Sequence, residues 1–221
     1  NSFLEKNKFN NLKKTLVNLH NPLKKIDIKS NDYKRLVHDE ILANLITLLN
    51  NRKIIKTKKT KQKVYSGKFN DIILKNFTFK LTQNQKNILK QLSDEISSDN
   101  RMFRLLQGDV GSGKTIIGLI TAANVIESGY QVAFMAPTEI LSTQHFNLAK
   151  KLFSFTDIKI ELLTSKISPK EKKIIITKLK NGNIDLIFGT HSLFQKKIEF
   201  LKLGLIMIDE QHKFGVRQRL E

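Results

Sequence analysis

Residues 108–115, Gly-Asp-Val-Gly-Ser-Gly-Lys-Thr, limit what this chain can fold into more than any other stretch. They match G-x-x-x-x-G-K-[ST] in full, between the apolar run Met102–Leu106 and an amphipathic stretch, Lys114–Ser128. Glycine at Gly108, Gly111 and Gly113 lets the backbone curl until successive N–H groups of the loop, Asp109 and Ser112 among them, point inward at one anion. The helix that follows adds its free N–H groups and the positive end of its dipole. Lys114 then reaches the β- and γ-phosphates, and the Thr115 hydroxyl is placed to ligate Mg²⁺. A merely flexible loop is the plain alternative; the full match, set between a strand and a helix, predicts a nucleoside triphosphate site.

Downstream of residue 77 short apolar runs alternate with longer amphipathic ones. Met102–Leu106, Gln131–Met135, Ile158–Leu163, Ile184–Phe188 and Leu203–Ile208 read as strands, and Lys114–Ser128, Glu139–Phe153 and Ser168–Lys180 as helices. The strand runs are almost continuously apolar, as expected where helices cover both faces of a parallel sheet. The predicted class is therefore α/β, built from βαβ units. The last strand ends in Asp209-Glu210, and in such a sheet ligands bind at the carboxyl ends of the strands. Asp209 is then the acid for Mg²⁺ and Glu210 the general base for an attacking water. Lys114, Asp209 and Glu210 form the catalytic set, with Thr115 and Asp209 as metal ligands. A solvated strand end is the plain alternative for the two acids.

Residues 1–76 read differently, as a helical segment ahead of the α/β domain of residues 77–221. Phe3–His20 and Asp32–Asn50 carry apolar residues at helical spacing; the first stops at Asn21-Pro22, and Ser30-Asn31 signals the start of the second. The Lys/Thr run Arg52–Lys63 has little to bury and reads as a solvated linker, with phosphate contact as the alternative. The formal net charge of +19 suits a nucleic-acid partner. The chain's general lean to Lys, Asn and Ile offers a second explanation, a drift in base composition. The sequence has no cysteine, which excludes disulfides and thiolate metal sites and fits a reducing cytoplasm. No apolar run reaches the ~20 residues that span a bilayer, and no secretory signal opens the chain.

Motifs around these elements narrow the class. Phe79-Lys80-Leu81-Thr82-Gln83-Asn84-Gln85 resembles the Q motif of superfamily 2 helicases, in which the glutamine reads the adenine edge. Gln85 also closes a Thr82-x-x-Gln85 capping box, and both roles stay open. Ala136-Pro137-Thr138-Glu139, followed by Gln144-His145, resembles motif Ia, and Gly189-Thr190-His191 resembles motif Ib. Thr138 and Thr190 are the candidates for touching a DNA backbone, with capping or turn formation as the alternative. Asp209-Glu210-Gln211-His212 resembles a DExH motif II, in which Gln211 and His212 relay the nucleotide state. His145, His191 and His212 lack the spacing of a zinc site.

Together with Phe214-Gly215-Val216-Arg217-Gln218-Arg219, these segments resemble the RecG family of branched-DNA helicases. The related transcription-repair coupling translocases, the Mfd family, are the alternative; they carry a second acid where this chain has Gln211. The resemblance covers residues 77–221, and more weakly the helices before them. It implies a RecA-like ATP-binding lobe that uses ATP and Mg²⁺ in a monomeric, cytoplasmic motor on branched duplex DNA. It also implies that motif III, a second RecA-like lobe with its arginine finger and an OB-fold wedge lie elsewhere in a longer protein. This lobe alone is then expected to hydrolyse ATP barely and to unwind nothing. One departure stands out. Leu162-Leu163-Thr164-Ser165-Lys166 replaces the Thr-Gly-Ser turn of that family, which puts strand contact at Thr164-Ser165 in doubt.

Overall fold

The computed structural model describes residues 6–21, 27–57, 59–77, 79–195 and 198–210. The chain divides into two compact units, residues 1–58 and 59–221.

The first unit pairs α1 (Leu12–His20) with α2 (Asn31–Thr57). Helix α1 begins at Leu12 because the Asn11 side chain accepts a hydrogen bond from the Lys14 N–H at 2.9 Å, an N-cap that separates it from the residues before. At the start of α2, Asp32 accepts from Asn10 (2.8 Å), Asn18 (2.9 Å) and the buried Thr15 hydroxyl (3.1 Å). Helix α2 runs on to Thr57, past the predicted end at Asn50. Residues 51–57 contain no glycine or proline, and their lysines and arginine are good helix formers, so nothing stops the helix. The expected linker is thus partly helical.

The second unit opens with α3 (Lys68–Asn76) and α4 (Gln83–Ile96), continues through α5 (Lys114–Glu127), β1 (Gln131–Met135), α6 (Glu139–Leu152), β2 (Ile160–Leu163), α7 (Pro169–Lys180) and β3 (Leu186–Gly189), and ends on β4 (Leu203–Ile208). A 3₁₀ turn, His191–Phe194, follows β3. The four strands are parallel in the order β2-β3-β1-β4. Side chains alternate across the sheet as strand geometry requires. Val132, Phe134, Leu186 and Phe188 meet residues of α3, α5 and α6 on one face, including Ile73, Leu119, Ala123 and Leu152. Ala133, Met135, Leu163 and Ile187 meet Ile175 and Leu179 of α7 on the other. Helices cover both faces, as the apolar strand runs predict.

Three expectations change. Residues 59–76, expected ahead of the α/β domain, group with it instead: α3 packs there and Ile73 is fully buried in the core. The run Met102–Leu106 is not a strand; residues 101–109 carry no strand assignment. A strand exists only by pairing, and among the described residues no neighbour pairs with it. Phe103 is 61% and Leu105 73% exposed. The lysine run is likewise not free: Lys59 pairs with Asp99 at 2.5 Å, and Lys63 is buried with its ammonium 5.3 Å from the Tyr130 ring centroid. That burial lowers the Lys63 pKa.

Candidate active site

The phosphate loop adopts the curl that its glycines permit. Gly111 and Gly113 sit at φ +80° and +84°, in the left-handed region that other residues enter at a cost, and Gly113 is the N-cap position of α5. A Cβ at Gly113 would lie 2.5 Å from Gln85 Nε2, so the Gln85 amide would have to move off the loop. Behind the loop, a Cβ at Gly108 would meet the Ser112 hydroxyl at 2.8 Å. Lys114 turns back onto the loop and donates to the carbonyls of Gly108 and Asp109, both at 2.7 Å. Thr115 follows in the first turn of the helix.

Gln85 bridges the start of α4 to this loop. Its amide oxygen accepts from the Thr82 N–H at 2.8 Å, while the Thr82 hydroxyl accepts from the Gln85 N–H at 3.3 Å, completing the capping box. Its amide nitrogen donates to the Ser112 carbonyl at 2.9 Å. Each end of the amide is thus engaged once and keeps capacity for one further hydrogen bond, so the cap and an adenine contact are compatible.

Asp209 and Glu210 emerge at the carboxyl end of β4, and the Asp209 N–H donates to the Met135 carbonyl on β1 at 2.8 Å. One Asp209 oxygen accepts from the Glu210 N–H at 3.0 Å. The other lies 2.8 Å from Nε2 of His145, which comes from α6. The His145 hydrogen bond, against the opposing effect of burial and with help from the nearby Lys114 charge, holds the Asp209 carboxyl below its ordinary pKa. Glu210 has φ +50°, a conformation uncommon for a residue with a side chain and frequent at functional sites. Gln211, His212 and the segment through Arg219 lie outside the described residues.

The loops at the same ends of β1, β2 and β3 hold the candidate strand contacts. Thr138 is exposed and caps α6, its hydroxyl accepting from the Leu141 N–H at 3.3 Å. Thr190 is only 5% exposed and precedes the 3₁₀ turn without capping it through its side chain; His191 is the exposed neighbour. Thr164 is buried too, and Ser165 gives both its N–H (2.6 Å) and its hydroxyl (2.5 Å) to Glu139. The altered turn is therefore tied to the first residue of α6.

Residues 82–221, which hold the loop, both acids and these contacts, match the DEAD/DEAH box helicase family. The chain belongs to this helicase family. ATP-dependent DNA helicase RecG of Aquifex aeolicus is 40% identical over 222 residues, covering 98% of this chain and 28% of that protein. RecG of Bacillus subtilis is 47% identical over 146 residues, 66% of this chain and 21% of the relative. A solved structure of RecG bound to a three-way DNA junction aligns at TM-score 0.75 and 38% identity, over 84% of this chain and 25% of its own. The UvsW helicase of bacteriophage T4, at 21% identity and TM-score 0.50, shares the fold. This helicase lobe spans under a third of the length of the curated relatives it matches.

Within it, Gln85 contacts the loop at Ser112, and Asp209 follows the last residue of β4. His145, read with motif Ia and lacking the spacing of a zinc ligand, is the residue whose contact with Asp209 the sequence did not reveal. Its partner is 64 positions away, and no local pattern announces such a contact. The donor set fits a magnesium nucleotide: a lysine on inward carbonyls, a hydroxyl in the first helical turn and a carboxylate kept ionised at the end of a neighbouring strand.

Proposed function

We propose that this chain is the ATP-binding lobe of an ATP-dependent DNA helicase that remodels branched DNA. The observation that carries the reading is the likeness, at 38% identity and TM-score 0.75, to RecG bound to a three-way DNA junction, with the phosphate loop and both acids intact here. Lys114 exchanges its two carbonyl contacts for phosphate oxygens, and the N–H groups of residues 108–115 gather the rest of the charge. Thr115 and Asp209 would hold Mg²⁺, whose charge would offset that of the phosphates and lower their repulsion of an attacking water. Glu210 is the base for the attacking water, after its side chain is carried to within hydrogen-bond reach. Thr138 presents the exposed hydroxyl for a DNA backbone, and Gln211 and His212 pass the nucleotide state onward.

The test is the ATPase rate of the complete gene product with forked DNA, linear duplex or single-stranded RNA. The expected result is greatest stimulation by the fork, with Lys114→Ala lowering the rate ~10²–10³-fold. Equal stimulation by fork and duplex points to a translocase without branch preference, and stimulation by RNA alone sinks the DNA reading.

A further inference from the structure

We propose that His145 is a positioning residue for ATP hydrolysis, holding the Asp209 carboxylate and tying it through α6 to the loop corner formed by Thr138, Glu139 and Ser165. The inference rests on the reading of Asp209 as the magnesium acid. A carboxylate only accepts hydrogen bonds, so at 2.8 Å the His145 Nε2 carries the proton and donates it to Oδ2. The other oxygen is taken by the Glu210 N–H at 3.0 Å, and the carboxylate is fixed at both ends. The imidazole is itself held. Its side chain is only 12% exposed, and its ring lies 4.9 Å from the ring centroid of Phe134, which stacks on Phe188 at 5.1 Å. Phe134 belongs to β1, which hydrogen-bonds directly to β4 and so to the backbone of Asp209.

The other end of the same helix faces the loops. Seven residues separate Thr138 from His145, two turns and about 10 Å of helix, so both sit on nearly one side of α6. Thr138 caps the helix, and Glu139 grips Ser165 through its N–H and hydroxyl. A displacement of that corner therefore moves His145 with the helix, and among the described residues its polar partner is the Asp209 carboxylate. A partner that orients a metal-binding carboxylate shapes the site without touching the reactants.

Two variants of the complete gene product separate this role from packing. His145→Phe keeps a ring against Phe134 and removes the donor; His145→Gln restores an N–H of similar reach. The readouts are kcat, KM for ATP and the Mg²⁺ concentration at half-maximal rate, each without DNA and with forked DNA, beside the melting temperature. The expected result is a ~10–100-fold fall in kcat for His145→Phe, a raised Mg²⁺ requirement, KM for ATP within about 3-fold and most of the loss recovered in His145→Gln. A His145→Phe enzyme with parental kcat and Mg²⁺ dependence overturns the proposal. So does equal loss in both variants with equally lowered melting temperatures, which marks the ring as packing alone. The variant-to-parent ratio without DNA decides for His145 by itself, whereas a parent enzyme that forked DNA does not stimulate fails the branched-DNA reading and leaves that ratio to be read.

Discussion

Gln85 uses one amide twice, closing the cap of α4 with its oxygen and steadying the phosphate loop at Ser112 with its nitrogen. The capping box was legible in the sequence because it acts over three residues; the bridge to Ser112 was not, because it spans 27. Gln85→Ala is expected to lower stability by about 0.5–2 kcal/mol through the lost cap, measured by urea denaturation. Because the loop loses its support whichever base is bound, the same variant should weaken ATP and GTP binding together. Loss of ATP binding alone, in fluorescent-nucleotide titrations, would instead assign the amide to adenine.

At the scale of elements, α3 shows how a helix start can depend on a distant carboxylate. Its N-cap position is Gly67, at φ +82° and with no side chain to offer. Glu127, at the end of α5, replaces it, accepting from the Ser66 N–H (2.6 Å), the Gly67 N–H (3.0 Å) and the Lys68 N–H (3.1 Å), with the Ser66 hydroxyl at 2.5 Å. Burial pushes the Glu127 pKa up, but these four donors outweigh it and hold the carboxyl below its ordinary value. A depressed carboxyl pKa adds stability above the unfolded-state value and loses it as pH falls through the folded-state one. Glu127→Gln should therefore cost about 1 kcal/mol near neutral pH, solvent screening included, and the gap to the parent should close on acidification. Urea melts of both proteins over a pH series check this; a gap independent of pH would show that charge plays no part.

At the scale of the molecule, the charge of +19 and the open sheet edge matter most. Part of that charge is committed internally, as Lys59 to Asp99 and Lys63 beneath Tyr130 illustrate, so net charge overstates what a DNA strand can meet. Duplex binding should still weaken steeply with salt, by ~10³–10⁵-fold between about 50 and 200 mM if six to ten phosphates are neutralised. Thr138→Ala should lower affinity without altering the slope of log K against log salt, since a hydroxyl releases no counterion. A changed slope would mean that the variant disturbs the cationic surface. Fluorescence anisotropy across a salt series reads both quantities. At the sheet edge, Leu203, Ile206 and Ile208 of β4 remain exposed.

Sequence alone determined the phosphate loop, the α/β class, the strands Gln131–Met135 and Leu203–Ile208 and the capping box at Thr82, and it left a cap at Thr138 as the alternative to strand contact. Each of these rests on physics that acts within a few residues: glycine φ, side-chain caps and the period of buried positions. Tertiary structure decided that Met102–Leu106 is not a strand here, since pairing needs a neighbour that the run itself does not contain. It decided that Thr190 is covered while Thr138 is exposed, and that Lys63 is buried rather than solvated. It also brought Glu127 to Gly67 and His145 to Asp209, contacts 60 and 64 positions apart. The partner of a side chain at such a distance is set by the topology that delivers both, and that topology is a property of the packed core rather than of either local segment.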